Sequence, residues 1–280
     1  MGSCYVPLHL RSNFSLLCGT APVPLLVERL RELGFPAAAL ADRNNLYGAV
    51  LFHLAARAAG IRTIVGAEVD SAAGERVVLL ARDREGYGNL CRIVTRRMLD
   101  AAFGLAGEIG ANGGGLFALA SEPRVAERLR SRLPPGALWI ELPLGGTARA
   151  IRERREAARR LGIGTVAGGA AALRGVEDDA LRRVLAAIRT NTVVGGPHAG
   201  ETEEAEGAMH PPDAARALFR EIPEALANTL AIAEACAFEI TGSPTIFPRF
   251  PLPEGETPYS CLHARAHEGL RRRYGAAITP

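Results

Sequence analysis

Three short apolar runs in this chain each end on an ionisable side chain. Tyr5-Val6-Pro7-Leu8 leads to His9, Ala37-Ala38-Ala39-Leu40-Ala41 to Asp42, and Thr63-Ile64-Val65-Gly66-Ala67 to Glu68. An imidazole and two carboxylates brought together at strand ends suit zinc, manganese or iron, and paired metals can stabilise both the attacking and the leaving oxygen of a displacement. Two arginines stand in the same stretches, Arg11 two residues after His9 and Arg43 directly after Asp42. A guanidinium stays protonated and has no lone pair to give, so neither can be a ligand. The same five residues therefore support a second reading. In it Arg11 and Arg43 act as built-in cations that neutralise Asp42 and Glu68, and His9 is simply hydrogen-bonded.

The elements that must position these residues are set by periodicity. Val23, Leu26, Val27, Leu30 and Leu33 recur at helical spacing and stop at Gly34, and Leu46 to Ala59 is a second helix ending at Gly60. Strands at Pro36 to Asp42 and Arg62 to Asp70 frame that second helix, which implies parallel crossovers. After a turn at Ser71 to Glu75, Arg76 to Ala81 is an apolar strand and Arg84 to about Phe103 a helix. The stretch from Gly104 to Gly115 carries six glycines and is expected to be a loop. Three further strands (Leu116 to Ala120, Ala137 to Leu142, Gly164 to Gly168) alternate with helices at Pro123 to Leu133, Ile151 to Leu161 and Val176 to Ile188. Seven β/α units, one of them irregular, imply an α/β fold of the distorted (β/α)7 TIM-like barrel type.

The expected organisation is a barrel core over 1–192, a linker with two helices completing the domain over 193–250, and a connecting segment over 251–280. Prolines 244, 248, 251, 253 and 258 give the last part an extended, helical and Pro-rich character.

Composition narrows the functional classes. All 33 basic residues are Arg, against 30 acidic ones, for a formal charge of +3. Charges this evenly spread imply no nucleic-acid footprint by themselves; only Arg152 to Arg160 and Arg271 to Arg273 are local candidates for phosphate contact, and a solvated helix face is the plainer reading of both. The five cysteines form no C-x-x-C pair, which fits a reducing cytoplasm. No signal-peptide pattern and no apolar stretch of membrane-spanning length occurs, so no membrane partner is expected.

The motifs resemble a known family. Leu8-His9-Leu10-Arg11-Ser12-Asn13-Phe14-Ser15, Ala41-Asp42-Arg43-Asn44-Asn45-Leu46-Tyr47-Gly48, Gly66-Ala67-Glu68 and Leu79-Leu80-Ala81-Arg82-Asp83-Arg84-Glu85-Gly86-Tyr87-Gly88-Asn89-Leu90 are similar to the PHP (polymerase and histidinol phosphatase) domain of bacterial DNA polymerase III alpha subunits, above all the error-prone branch. Ile222 to Thr229 and Phe247 to Pro253 resemble the segment leading toward the polymerase palm, which is not in this chain. The resemblance implies a PHP barrel whose metal ligands would include His9, Asp42 and Glu68. Arg11 and Arg43 stand where the family carries further histidines, and Gly168-Gly169-Ala170-Ala171 replaces its Asn-Asp-Val-His.

With these departures, the resemblance implies a degenerate, non-catalytic domain without a cofactor. It would belong to a polymerase III alpha-like chain acting in DNA replication or repair synthesis. Its partners would be the remainder of such a chain, with replication or proofreading subunits and DNA as further candidates. The alternative is a phosphoesterase or 3′–5′ exonuclease using zinc or manganese on the residual trio. His263 and His267, at i,i+4 on the last helix, lack a third ligand.

Overall fold

The computed structural model describes residues 5–173, 179–194, 207–240, 248 and 250–275. The chain divides into two compact units, Met1–Thr241 and Gly242–Pro280. The expected link over 195–206 and most of 241–249 fall outside the described residues.

The first unit is α/β, as expected. Its centre is a curled six-stranded sheet in the order β1 (Ala37–Arg43), β2 (Arg62–Asp70), β3 (Arg76–Ala81), β4 (Leu116–Ala120), β5 (Leu138–Pro143) and β6 (Gly164–Gly168). A second ladder joins β7 (Ala171–Leu173) to β8 (Gly207–Ala208).

The segment expected as a first strand is instead one bridging residue between two edges. Leu10 pairs in parallel with Leu40 on one side and with Ala171 on the other. Backbone bonds seal both flanks, from Ala39 N to Pro7 O (2.8 Å), Ala41 N to Leu10 O (2.8 Å), Arg11 N to Ala171 O (3.0 Å) and Ala171 N to His9 O (3.0 Å). Pro7 has no N–H to donate, which limits how far a ladder can extend here. Since β6 and β7 are separated only by Gly169 and Ala170, this segment links the far end of the sheet back to β1.

Helices α1 (Val23–Glu32), α2 (Ala49–Ala58), α3 (Arg84–Leu99), α5 (Pro123–Leu129) and α6 (Ala148–Leu161) follow the apolar periodicity of the sequence. Asp83 caps α3 by accepting from Gly86 N at 2.8 Å, and Thr147 caps α6 by accepting from Ala150 N at 3.2 Å. Further on come α7 (Asp179–Thr190), α8 (Pro212–Leu218) and α9 (Pro223–Ala235). The second unit holds α10 (Pro258–Tyr274), whose Thr257 and Ser260 form a reciprocal capping box.

Two expectations are corrected. β3 runs antiparallel to both β2 and β4. The turn between β2 and β3 is five residues long, whereas a parallel return needs a crossover of about a dozen or more. The glycine-rich stretch also contains a helix, α4 (Leu105–Asn112), because Leu105, Ala106 and Ile109 form a buried strip on one side of it. Its glycines are tolerated because tertiary packing outweighs a propensity cost of about 1 kcal/mol each.

The pleat sorts the sheet into two faces. Ala37, Ala39, Ala41, Ile64, Val78, Leu80, Leu119 and Val166 form a cluster inside the curl, together with Ile232 and Ala233 of α9. The alternate residues, among them Ala38, Leu40, Val65, Ala67, Leu79 and Ile140, pack outward with the helices. A side chain one position out of phase therefore lands on the other face, and this rule decides which ionisable groups meet.

Candidate functional site

Four charged side chains converge at the inner rim of the sheet. His9, Arg11, Glu68 and Glu141 are all buried, with exposures of 5%, 2%, 3% and 1%. Glu68 continues the inward series through Ile64 and Gly66 on β2, and Glu141 follows Trp139 on β5. His9 Nδ1 lies 3.3 Å from both carboxylate oxygens of Glu141, and its Nε2 lies 3.9 Å from Glu68 Oε2. Arg11 Nη2 donates to the same Glu68 oxygen in a short contact. Glu141 accepts in addition from Ser121 Oγ at 2.7 Å and from Gly169 N at 2.8 Å. The buried Arg154 of α6 supports the strand end, its Nη1 reaching Glu141 O at 3.4 Å.

Asp42 sits elsewhere. Ala41 is in the inward series, so Asp42 faces outward, toward the loop after Arg11. Its Oδ1 accepts from Ser12 N and Ser15 Oγ, both at 2.7 Å, and its Oδ2 from Ser12 Oγ at 2.8 Å. The loop closes tightly on itself, for a Cβ on Gly19 would stand 1.8 Å from Ser12 O.

The expectation that Arg43 would neutralise Asp42 is corrected by the same pleat. Arg43 is in register with Glu68 rather than with Ala67, and its guanidinium extends to Asp70, Nε and Nη2 each 2.8 Å from Oδ2. Arg97 of α3 holds the other oxygen of Asp70, with Nη2 at 2.6 Å. Arg43 and Arg97 thus clamp the end of β2 onto α3. Of the two expected surrogate cations, Arg11 stands in the inner cluster and Arg43 is engaged by Asp70 instead.

The electrostatics are set by this placement. Burial opposes the charge on His9, but Glu141 and then Glu68 outweigh it and push its pKa up to about 9. Burial likewise opposes ionisation of Glu68, yet Arg11, His9 and Arg76 hold its carboxyl far below the usual carboxylate range. Glu141 is also lowered, its burial offset by His9, Ser121 and the Gly169 amide. Asp42 goes the other way, raised by burial that its serine partners only partly offset. At neutral pH the cluster is two carboxylates, an imidazolium and a guanidinium.

These shifts predict a pH dependence of stability. The raised His9 contributes stability that is complete below its unfolded pKa of 6.5 and is lost as pH climbs through about 9. That difference corresponds to about 3 kcal/mol. The lowered Glu68 and Glu141 contribute above their unfolded value of 4.5 and lose their contribution as pH falls below it. Urea unfolding measured against pH should therefore decline on both sides of a mildly acidic plateau. A profile level from neutral to alkaline pH would rule out the imidazolium.

The donors present do not fit a divalent metal. Both oxygens of Asp42 are taken by Ser12 and Ser15 on the outer face, Glu68 is occupied by a guanidinium, and His9 Nδ1 is turned to Glu141. Of the expected trio, His9 and Glu68 meet in the inner cluster, while Asp42 is held apart from them by Ser12 and Ser15. Among the described residues no group of three or more His, Cys, Asp or Glu side chains is arranged to hold a metal ion.

Sequence reasoning missed Glu141. Its signal was a lone carboxylate in the apolar run Ala137 to Leu142, the same form that pointed to Asp42 and Glu68. The remaining histidines have separate surroundings. His53 is buried with Nδ1 2.8 Å from Thr63 Oγ1, and His263 and His267 place their rings 4.3 Å apart on α10. His210 accepts from Tyr5 Oη at its backbone oxygen, at 2.6 Å, while His198 lies outside the described residues.

Comparison with known proteins gives three findings. Residues 7–119 match the family model described as PHP domain. An error-prone DNA polymerase of Symbiobacterium thermophilum is 31% identical across 97% of this chain, and one of Pseudomonas fluorescens is 34% identical across 97%. The chain spans only 29% and 27% of those two relatives. Among solved structures, an amidohydrolase from Chromobacterium violaceum aligns with a TM-score of 0.47 at 14% identity, covering 59% of this chain and 87% of its own. Among the described residues no helix is long and apolar enough to cross a membrane.

Proposed function

Because the chain carries a PHP domain over residues 7–119 and is homologous along nearly its whole length to part of the error-prone DNA polymerases, we propose that it serves such a polymerase as a non-hydrolytic structural domain. The observation that carries this reading is Arg11 on Glu68. A permanent buried cation stands on the carboxylate that would be a metal ligand, and like charges in a low-dielectric site repel strongly. The inner cluster is balanced without a metal, so its contribution is to stability and to the shape of the sheet rim. Its setting would be replication or repair synthesis, with the remainder of a polymerase chain as principal partner and a proofreading subunit and DNA as further ones.

The test is elemental analysis of protein purified without chelator, combined with hydrolysis of a generic phosphodiester. Metal well below one equivalent is expected, with no hydrolysis on adding zinc or manganese. Near-stoichiometric zinc or manganese together with turnover would overturn the proposal in favour of a metal-dependent phosphoesterase.

A further inference from the structure

Helix α10, in the second unit, carries a pair of side chains that the sheet and its inner cluster do not use. His263 and His267 are both exposed, and their ring centres stand 4.3 Å apart. Residues four apart lie on one helix face, and two histidines at this spacing are the arrangement that helical zinc sites use. Metal–nitrogen bonds to imidazole are ~2.0–2.1 Å long, so rings this close need only small side-chain rotations to put one nitrogen from each on a shared ion. Among the described residues neither imidazole is engaged in a hydrogen bond or an ion pair, so no existing partner has to be given up. The helix is a firm base for the pair. It runs for 17 residues from Pro258 to Tyr274, and its capping box of Thr257 and Ser260 secures the turn just before His263.

The surroundings select the ion. Arg271, Arg272 and Arg273 follow in the last turn of the helix, and Arg265 lies over the Phe250 ring at 4.8 Å, so the local field is positive. Glu268, next to His267 in sequence, is about a quarter of a turn around the helix from it. A hard cation such as magnesium or calcium needs several oxygen ligands, which this face does not supply, and the arginines repel it without compensation. Copper, nickel and zinc take imidazole nitrogen strongly enough to offset that repulsion. We propose that His263 and His267 form a two-histidine clamp for a borderline divalent cation of this class, with water completing its coordination. Two protein ligands in place of the four of a structural zinc site make the hold reversible, with a dissociation constant on the order of 10–100 µM. Such an ion is lost on desalting, so the metal content of purified protein still reports on the inner cluster.

The experiment strips the intact chain with chelator, removes the chelator, and titrates zinc chloride and, separately, magnesium chloride at slightly alkaline pH. Histidine ring signals are followed by NMR and bound zinc is counted by equilibrium dialysis. The expected result is that the His263 and His267 signals shift together and saturate at one zinc per chain below about 100 µM free ion, while magnesium moves neither. His263→Ala and His267→Ala should each weaken zinc binding about tenfold or more, because one imidazole alone loses the advantage of a second ligand already in place. Both variants should melt like the wild type without metal, since both side chains are exposed. Ring signals that fail to saturate below millimolar zinc, or an affinity unchanged in both variants, would overturn the clamp. Zinc that shifts His9 and leaves the α10 rings unmoved overturns it too, and is the one outcome that also counts against a metal-free inner cluster.

Discussion

Arg11→Ala should lower the stability of the domain by about 3–5 kcal/mol, the cost expected when one member of a buried ion pair is removed and the other charge is left behind. Arg11 and Glu68 are 2% and 3% exposed, so solvent cannot take over the role of the lost guanidinium. For a domain of this size the loss corresponds to a fall in melting temperature of roughly 10 °C. The double change Arg11→Met with Glu68→Leu should recover most of it, because a well-packed apolar pair can replace a buried ion pair at little cost. His9 would keep Glu141 as its counter-ion in that variant. A single mutant that unfolds at the wild-type urea midpoint would show that Glu68 is neutralised by other means.

Glu141→Gln should be nearly as costly, by about 2–4 kcal/mol, and should leave a signature that Arg11→Ala does not. Glutamine keeps the shape, can still accept from the Gly169 amide through its oxygen, and can donate from its amide nitrogen to the Ser121 hydroxyl. It removes the charge that contributes most to holding the proton on His9. The pKa of His9 should drop, so the alkaline fall in stability should begin at lower pH than in the wild type. Urea midpoints measured across pH for both proteins check this. Superimposable alkaline limbs would mean that Glu141 does not set the charge of His9.

Much of this arrangement was legible in the sequence, and what was not has identifiable causes. His9 and Glu68 were recognisable as polar ends of apolar runs, and both lie in the cluster. Asp42 shared that form but is out of phase. With Ala37, Ala39 and Ala41 directed inward, alternation turns it outward, a step the strand pattern already permitted. Glu141 was equally visible, as the lone carboxylate in the apolar run Ala137 to Leu142. The pairing of Arg43 with Asp70 depends on how β1 and β2 align, which no single strand encodes. The direction of β3 could have been read from the short turn at Ser71 to Glu75. Helix α4 was hidden by glycines whose weak propensity is overridden by the burial of Leu105 and Ile109.

A charge-balanced cluster, with His9 as an imidazolium between two carboxylates, stands where metal ligands would be expected. Titrating the His9 ring nitrogens by NMR in the intact chain tests this directly. Both nitrogens should be protonated at neutral pH, with a midpoint near pH 9. A His9 that is singly protonated at neutral pH and titrates at or below its ordinary value of 6.5 would contradict it.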